Sequence, residues 1–84
     1  MPKSQQFTVT TSAQIVVPEE IGDQMAYLHS ASGTMYIGGA DLTTANGYRL
    51  DNGDKLTIMV GDHSALYAVT SSGTATLFVL RQIN

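Results

Sequence analysis

The side chains with the readiest acid–base or ligand chemistry are two histidines, seven carboxylates and scattered serines. His29 and His63 are metal-ligand types, but a catalytic zinc takes three protein ligands and the third here would have to be an aspartate. His29 falls in a strand pattern and His63 in a turn, so both read as ordinary surface or half-buried histidines. The aspartates mostly stand beside glycine, as Gly22-Asp23, Gly53-Asp54 and Gly61-Asp62. Asp51-Asn52-Gly53-Asp54 opens like a calcium loop but lacks the later bidentate Glu. Asp and Asn also bond to their own backbone in tight turns, which is the reading preferred. Glu19-Glu20 follows Pro18 as a solvated turn, not as two carboxylates facing across a cleft. No serine stands in a G-x-S-x-G elbow, and Gly38-Gly39 lacks the Lys and helix of a phosphate loop. With Cys 0, a thiol nucleophile, a thiolate metal site and disulfides are excluded. The expectation is a protein that is not an enzyme and uses no metal or cofactor.

The charge balance narrows the partners. A net charge of -3 with cations only at Lys3, Arg49, Lys55 and Arg81 cannot neutralise a run of phosphates, so nucleic-acid binding is not expected. Charged residues make up 13% of the chain, against about 25% in ordinary soluble domains. Ser, Thr, Asn and Gln must cover the surface instead, a composition suited to packing against other protein. Met1 to Gln6 has no apolar core of a signal peptide. The apolar run Leu77 to Leu80 is far short of the roughly 20 residues that span a bilayer. A soluble product without membrane contact is expected. Eighty-four residues make one domain, 1–84. A chain this small buries only about 60–65% of its unfolded surface, so association with further copies is the remaining source of stability.

The elements that would position these residues alternate with period two. Phe7 and Val9 alternate with Thr8 and Thr10, Ile15-Val16-Val17 stops at Pro18, and Met25 to His29 precedes a Ser32-Gly33 turn into Thr34 to Ile37. Asp41 could cap a short helical turn, Asn46-Gly47 favours a tight turn, and Tyr48-Arg49-Leu50 is a short extended piece. Lys55 to Val60 places Leu56, Ile58 and Val60 on one face; Ala65 to Val69 and Thr74 to Leu80 close the chain about Ser71-Ser72-Gly73. The expectation is an all-β fold: a small antiparallel β-sandwich or barrel of about seven or eight short strands. One segment occurs twice, Gly22-Asp23 through Tyr27 to Ser32-Gly33-Thr34, and Gly61-Asp62 through Tyr67 to Ser72-Gly73-Thr74. It predicts two hairpins, two similar halves packed face to face, with Tyr27 and Tyr67 as equivalent packing residues.

The run Tyr36-Ile37-Gly38-Gly39-Ala40-Asp41-Leu42-Thr43-Thr44-Ala45-Asn46-Gly47-Tyr48-Arg49-Leu50, then Gly53-Asp54-Lys55-Leu56, resembles a pattern in small virion proteins of tailed bacteriophages. Leu66-Tyr67-Ala68 and Ser72-Gly73-Thr74-Ala75 extend the likeness over roughly the C-terminal two-thirds. The resemblance implies a structural protein of the virion, a capsid decoration (cement) protein synthesised in the host cytoplasm and placed on the capsid surface. Its implied partners are further copies of itself, as a homotrimer, and the major capsid protein. A tail, neck or fibre component shares the composition, and a carbohydrate-binding module is a reading of another class. Partner contacts are expected in the loop between the repeats, at Asp41, Thr43, Asn46, Tyr48 and Arg49, and in the N-terminal strand within residues 1–12, at Phe7 and Val9.

Overall fold

The computed structural model describes residues 2–83, with side chains over residues 3–82. Eight strands follow in order: β1 (Pro2–Val9), β2 (Gln14–Val17), β3 (Gln24–Ser32), β4 (Met35–Gly38), β5 (Tyr48–Leu50), β6 (Lys55–Val60), β7 (Leu66–Thr70) and β8 (Ala75–Ile83). They form two four-stranded antiparallel sheets, β1-β8-β3-β6 and β2-β7-β4-β5. We call them the long and the short sheet. This order, in which every successive pair of strands except β4 and β5 crosses between the two packed sheets, is that of an eight-stranded jelly roll.

Alternation makes the sandwich. Val9, Ala26, Leu28, Leu77 and Val79 of the long sheet face Val17, Met35, Ile37, Leu50, Leu66 and Ala68 of the short sheet, all buried. The core is aliphatic, with Phe7 and Leu56 half-buried at its margin. Gln24 is fully buried at one end, where its Nε2 donates to the Pro18 carbonyl at 2.8 Å and its Oε1 accepts from Arg81 Nη1 at 3.0 Å. The same Nη1 lies 3.3 Å from a Glu20 carboxylate oxygen. Burying this amide costs little because both ends are bonded.

The doubled segment does not form hairpins. β3 and β4 lie in different sheets, as do β7 and β8, so Ser32-Gly33 and Ser71-Ser72-Gly73 are corners at which the chain crosses between sheets. A hairpin and a corner need the same residues, a small polar pair with a glycine at positive φ (73° at Gly33, 64° at Gly73). Local sequence therefore cannot tell them apart. Each repeat spans both sheets instead of forming one half. The two copies run antiparallel along their whole length, β3 on β8 and β4 on β7. At the corners Thr70 Oγ1 donates to the Thr34 carbonyl at 2.8 Å, and Thr76 N–H donates to Ser32 Oγ at 3.1 Å. At the other end the Gly-Asp turns bond to each other: Gly22 N–H donates to the Asp62 carboxylate, and Asp62 N–H donates to the Asp23 carboxylate at 3.0 Å. The repeat is a pairing device that folds one long ribbon across two sheets.

Candidate docking surface

The outer face of the long sheet is built by the residues out of phase with the core. Cross-strand pairing aligns them in rows: Ser4, Leu80, Tyr27 and Thr57 form one, and Gln6, Phe78, His29 and Lys55 the next. Between the rows runs an open trough of about 540 Å³ floored by the Val79–Leu28 row. Phe78, Leu80 and Tyr27 are 42–43% exposed, and Met59 is exposed on the next row beside Met25. His29 stacks on Phe78 with ring centroids 6.4 Å apart and 29° between planes. None of the long-sheet strands contains an Asp or Glu; Lys55 is the one charged side chain lining the trough. Such a face can bury apolar area against a partner without desolvating a carboxylate.

Sequence reasoning placed Tyr27 in the core, and the structure corrects this. Ala26 and Leu28 are buried, so Tyr27 between them must point outward. The readable signal was Leu77-Phe78-Val79-Leu80, a strand apolar on both faces, which is the pattern of a strand that meets protein on both sides.

The residues expected to touch a partner fall into two groups in different sheets. Val9 is fully buried and Phe7 half-buried against the core, so Val9 offers its strand edge and not its side chain. β1 pairs along all eight residues with β8 of its own chain, leaving only its outer edge for another. Thr43 and Asn46 are spent inside their loop, to which Asp41 contributes its backbone carbonyl. Asn46 Oδ1 accepts from Thr43 N–H at 2.8 Å, Asn46 Nδ2 donates to the Asp41 carbonyl at 3.1 Å, and Thr43 Oγ1 accepts from Ala45 N–H at 3.2 Å. No helical turn forms at Asp41, because these bonds close a tight turn over Thr43 to Gly47. The loop folds back on the outer face of the short sheet. Leu42 is buried against Gly38, and a Cβ on Gly47 would stand 2.6 Å from both Leu42 Cδ1 and Tyr36 Cβ. Tyr48 is 62% exposed at the loop's exit.

Arg49 Nε lies 2.8 Å from an exposed Asp51 carboxylate oxygen. That hydrogen bond holds the Asp51 carboxyl below its ordinary range and the guanidinium above its own. The Gly22 N–H, then the charge of His63, lower the Asp62 carboxyl despite some desolvation. His63 sits at a φ of 61° with Nδ1 2.9 Å from Asp62 Oδ2. Asp51 and Asp54 close their own turn: Asp51 N–H donates to the Asp54 carboxylate and Asp54 N–H to the Asp51 carbonyl, both at 2.9 Å. These carboxylates are occupied as turn-formers. Among the described residues no three His, Cys, Asp or Glu side chains are grouped to hold a metal ion.

No family model matches the chain, and no curated protein does. Among solved structures, an HTH_3 family transcriptional regulator from Vibrio cholerae superposes with a TM-score of 0.71 at 14% identity. The match covers 99% of this chain and 43% of that one, so the chain spans less than half of the regulator's length. A protein of the Bacillus endospore appendages, described as a novel family of disulfide-linked pili, superposes with a TM-score of 0.67 at 16% identity, over 99% of this chain and 85% of that one. This chain contains no cysteine with which to form such a link. At these identities the likeness establishes a shared fold: an eight-stranded β-sandwich.

Proposed function

We propose that this chain is a non-enzymatic structural subunit of a tailed-phage particle, a decoration protein that binds the capsid surface as a homotrimer and ties capsid subunits together. The observation that carries the reading is the uncovered apolar face of the long sheet, with Phe78, Leu80, Tyr27 and Met59 exposed around a trough free of carboxylates. Low charge and the phage-like run from Tyr36 to Leu56 support it. The capsid protein is the partner for this face, since a contact of about 800 Å² per partner suffices for a stable interface. The molecule extends 34 by 23 Å in its two largest dimensions, which offers a face of that order.

The test is co-sedimentation of the purified chain with empty heads and, separately, with tails. Retention on heads that is lost in a Phe78→Glu/Leu80→Glu variant is expected. Binding to heads undiminished by those changes, or no binding to heads, would overturn it. A tail or fibre component is the second reading. It is favoured by the two long open edges of the long sheet and by the use of this fold in a Bacillus pilus; retention on tails alone would select it.

A further inference from the structure

The four sheet edges are unequal. In the short sheet, β2 is four residues long, shifts register between Ile15 and Val17 and ends before Pro18, while β5 has three residues. Shortness, a bulge and a proline each blunt an edge against further pairing. The long sheet's edges are longer and unbulged, and their one proline, Pro2, stands at the first residue of β1. β1 pairs with β8 through eight residues and β6 pairs with β3 through six, both without a register shift. Among the described residues each has a strand neighbour on one side only. β6 also carries Ile58 and Met59, 36% and 56% exposed, on opposite faces of this edge strand.

Every neighbouring pair in the order β1-β8-β3-β6 is antiparallel, so β1 and β6 run in opposite directions. A second copy brought up in the same orientation therefore presents its β1 antiparallel to β6 of the first. We infer that copies of this chain associate head to tail, the open edge of β6 pairing with the open edge of β1 of the next copy to continue one antiparallel sheet. Three observations favour this over pairing like edges across a twofold axis. One repeated contact satisfies both open edges, whereas a twofold contact uses one and leaves the other exposed. With the six residues of β6 paired, the incoming Lys3 lies at the Val60 end, beside the turn that carries Asp62, and far from Lys55. Phase is also kept: the half-covered Leu56 and Ile58 share a face with the incoming Phe7. A head-to-tail contact closes into a ring or runs on as a filament. It is thus the kind of contact that the trimer of the proposed function needs, and it rests on that reading only for the number of copies.

The absence of cysteine makes the test clean. Single-cysteine proteins are prepared with Ser4→Cys, Gln6→Cys or Thr8→Cys on β1 and Thr57→Cys on β6, all exposed outward positions. Directly opposed residues of antiparallel strands bring their Cβ atoms within about 5 Å, close enough for a disulfide. In an oxidising glutathione buffer, mixing one β1 protein with the β6 protein should give a mixed dimer as the main product for at least one β1 position. Disulfides only within each single-variant protein, or none in any mixture, would overturn the inference. A Thr57→Lys/Ile58→Lys chain should run as a monomer by size exclusion with light scattering; an unchanged oligomer would also overturn it. Capsid co-sedimentation stands apart, because a chain that binds heads without forming the mixed dimer fails this inference and leaves the proposed function intact.

Discussion

The two sheets have been finished differently. The short sheet is largely closed on itself: its outer face carries its own loop, with Leu42 packed on Gly38, Gly47 against Tyr36 and Val69 only 5% exposed, leaving Ile15 of the edge strand β2 open at 46%, and its edges are short, bulged or stopped by proline. The long sheet keeps the same aliphatic inner face but leaves Tyr27, Met59, Phe78 and Leu80 open on the outside and both edges long and unbulged. A small chain without disulfides would gain by covering both outer faces. It covers most of one, and the uncovered one is where further protein belongs.

The same substitution on the two outer faces should separate them most sharply. Val69→Glu puts a carboxylate into a covered site and should cost several kcal/mol, enough to unfold much of a domain this size at 37 °C by circular dichroism. Phe78→Glu, on the open face, should cost about 1 kcal/mol and leave the fold intact. Next in size is the loop that covers the short sheet. Gly47→Ala forces Leu42 or Tyr36 to shift and should cost about 2–3 kcal/mol in urea unfolding. Gly73→Ala meets no atom within 4 Å and should cost about 1 kcal/mol, through its φ of 64° alone.

Acid should act on the turns and leave the sheets alone. The folded pKa values of Asp51 and Asp62 are depressed, by Arg49 and by the Gly22 N–H respectively. Their contribution is complete above the unfolded carboxylate value of about 3.9 and is lost as pH falls through the folded values. A thermal melt followed from pH 7 to pH 3 should therefore fall less for the Asp51→Asn/Asp62→Asn variant than for the parent chain. The smallest effect is expected at Arg49→Ala: its ion pair with Asp51 is exposed, and the melting temperature at neutral pH should fall only slightly.

Much of this fold was legible in the chain. Period-two alternation located β5 and β6 to the residue, and β2 and β7 to within one, because apolar inward positions and turn-formers at the ends agree there. The pairing of strands was not legible. Ser-Gly at Ser32-Gly33 and at Ser72-Gly73 specifies a reversal but not whether the chain returns beside itself or crosses to the other sheet, a choice made by the core. The repeat was visible as a pattern; that its Gly-Asp turns bond to one another, Gly22 to Asp62 and Asp62 to Asp23, depended on the fold. For the candidate surface, sequence pointed to the loop around Asp41, Thr43 and Asn46, where the Thr43 and Asn46 side chains and the Asp41 carbonyl bond within the loop itself. The open face was readable at Leu77 to Leu80, yet an apolar run is equally a buried strand until its neighbours are known.

Amide hydrogen exchange of the chain free at low concentration and assembled on its particle tests the contrast between the sheets most directly. Assembly should slow exchange in peptides from β1 and β6, whose outer N–H groups become paired, and around Tyr27 and Phe78 to Leu80, leaving β2, β5 and the loop from Gly39 to Gly47 unchanged. New protection confined to that loop and the short sheet, with β1 and β6 exchanging as before, would contradict the account.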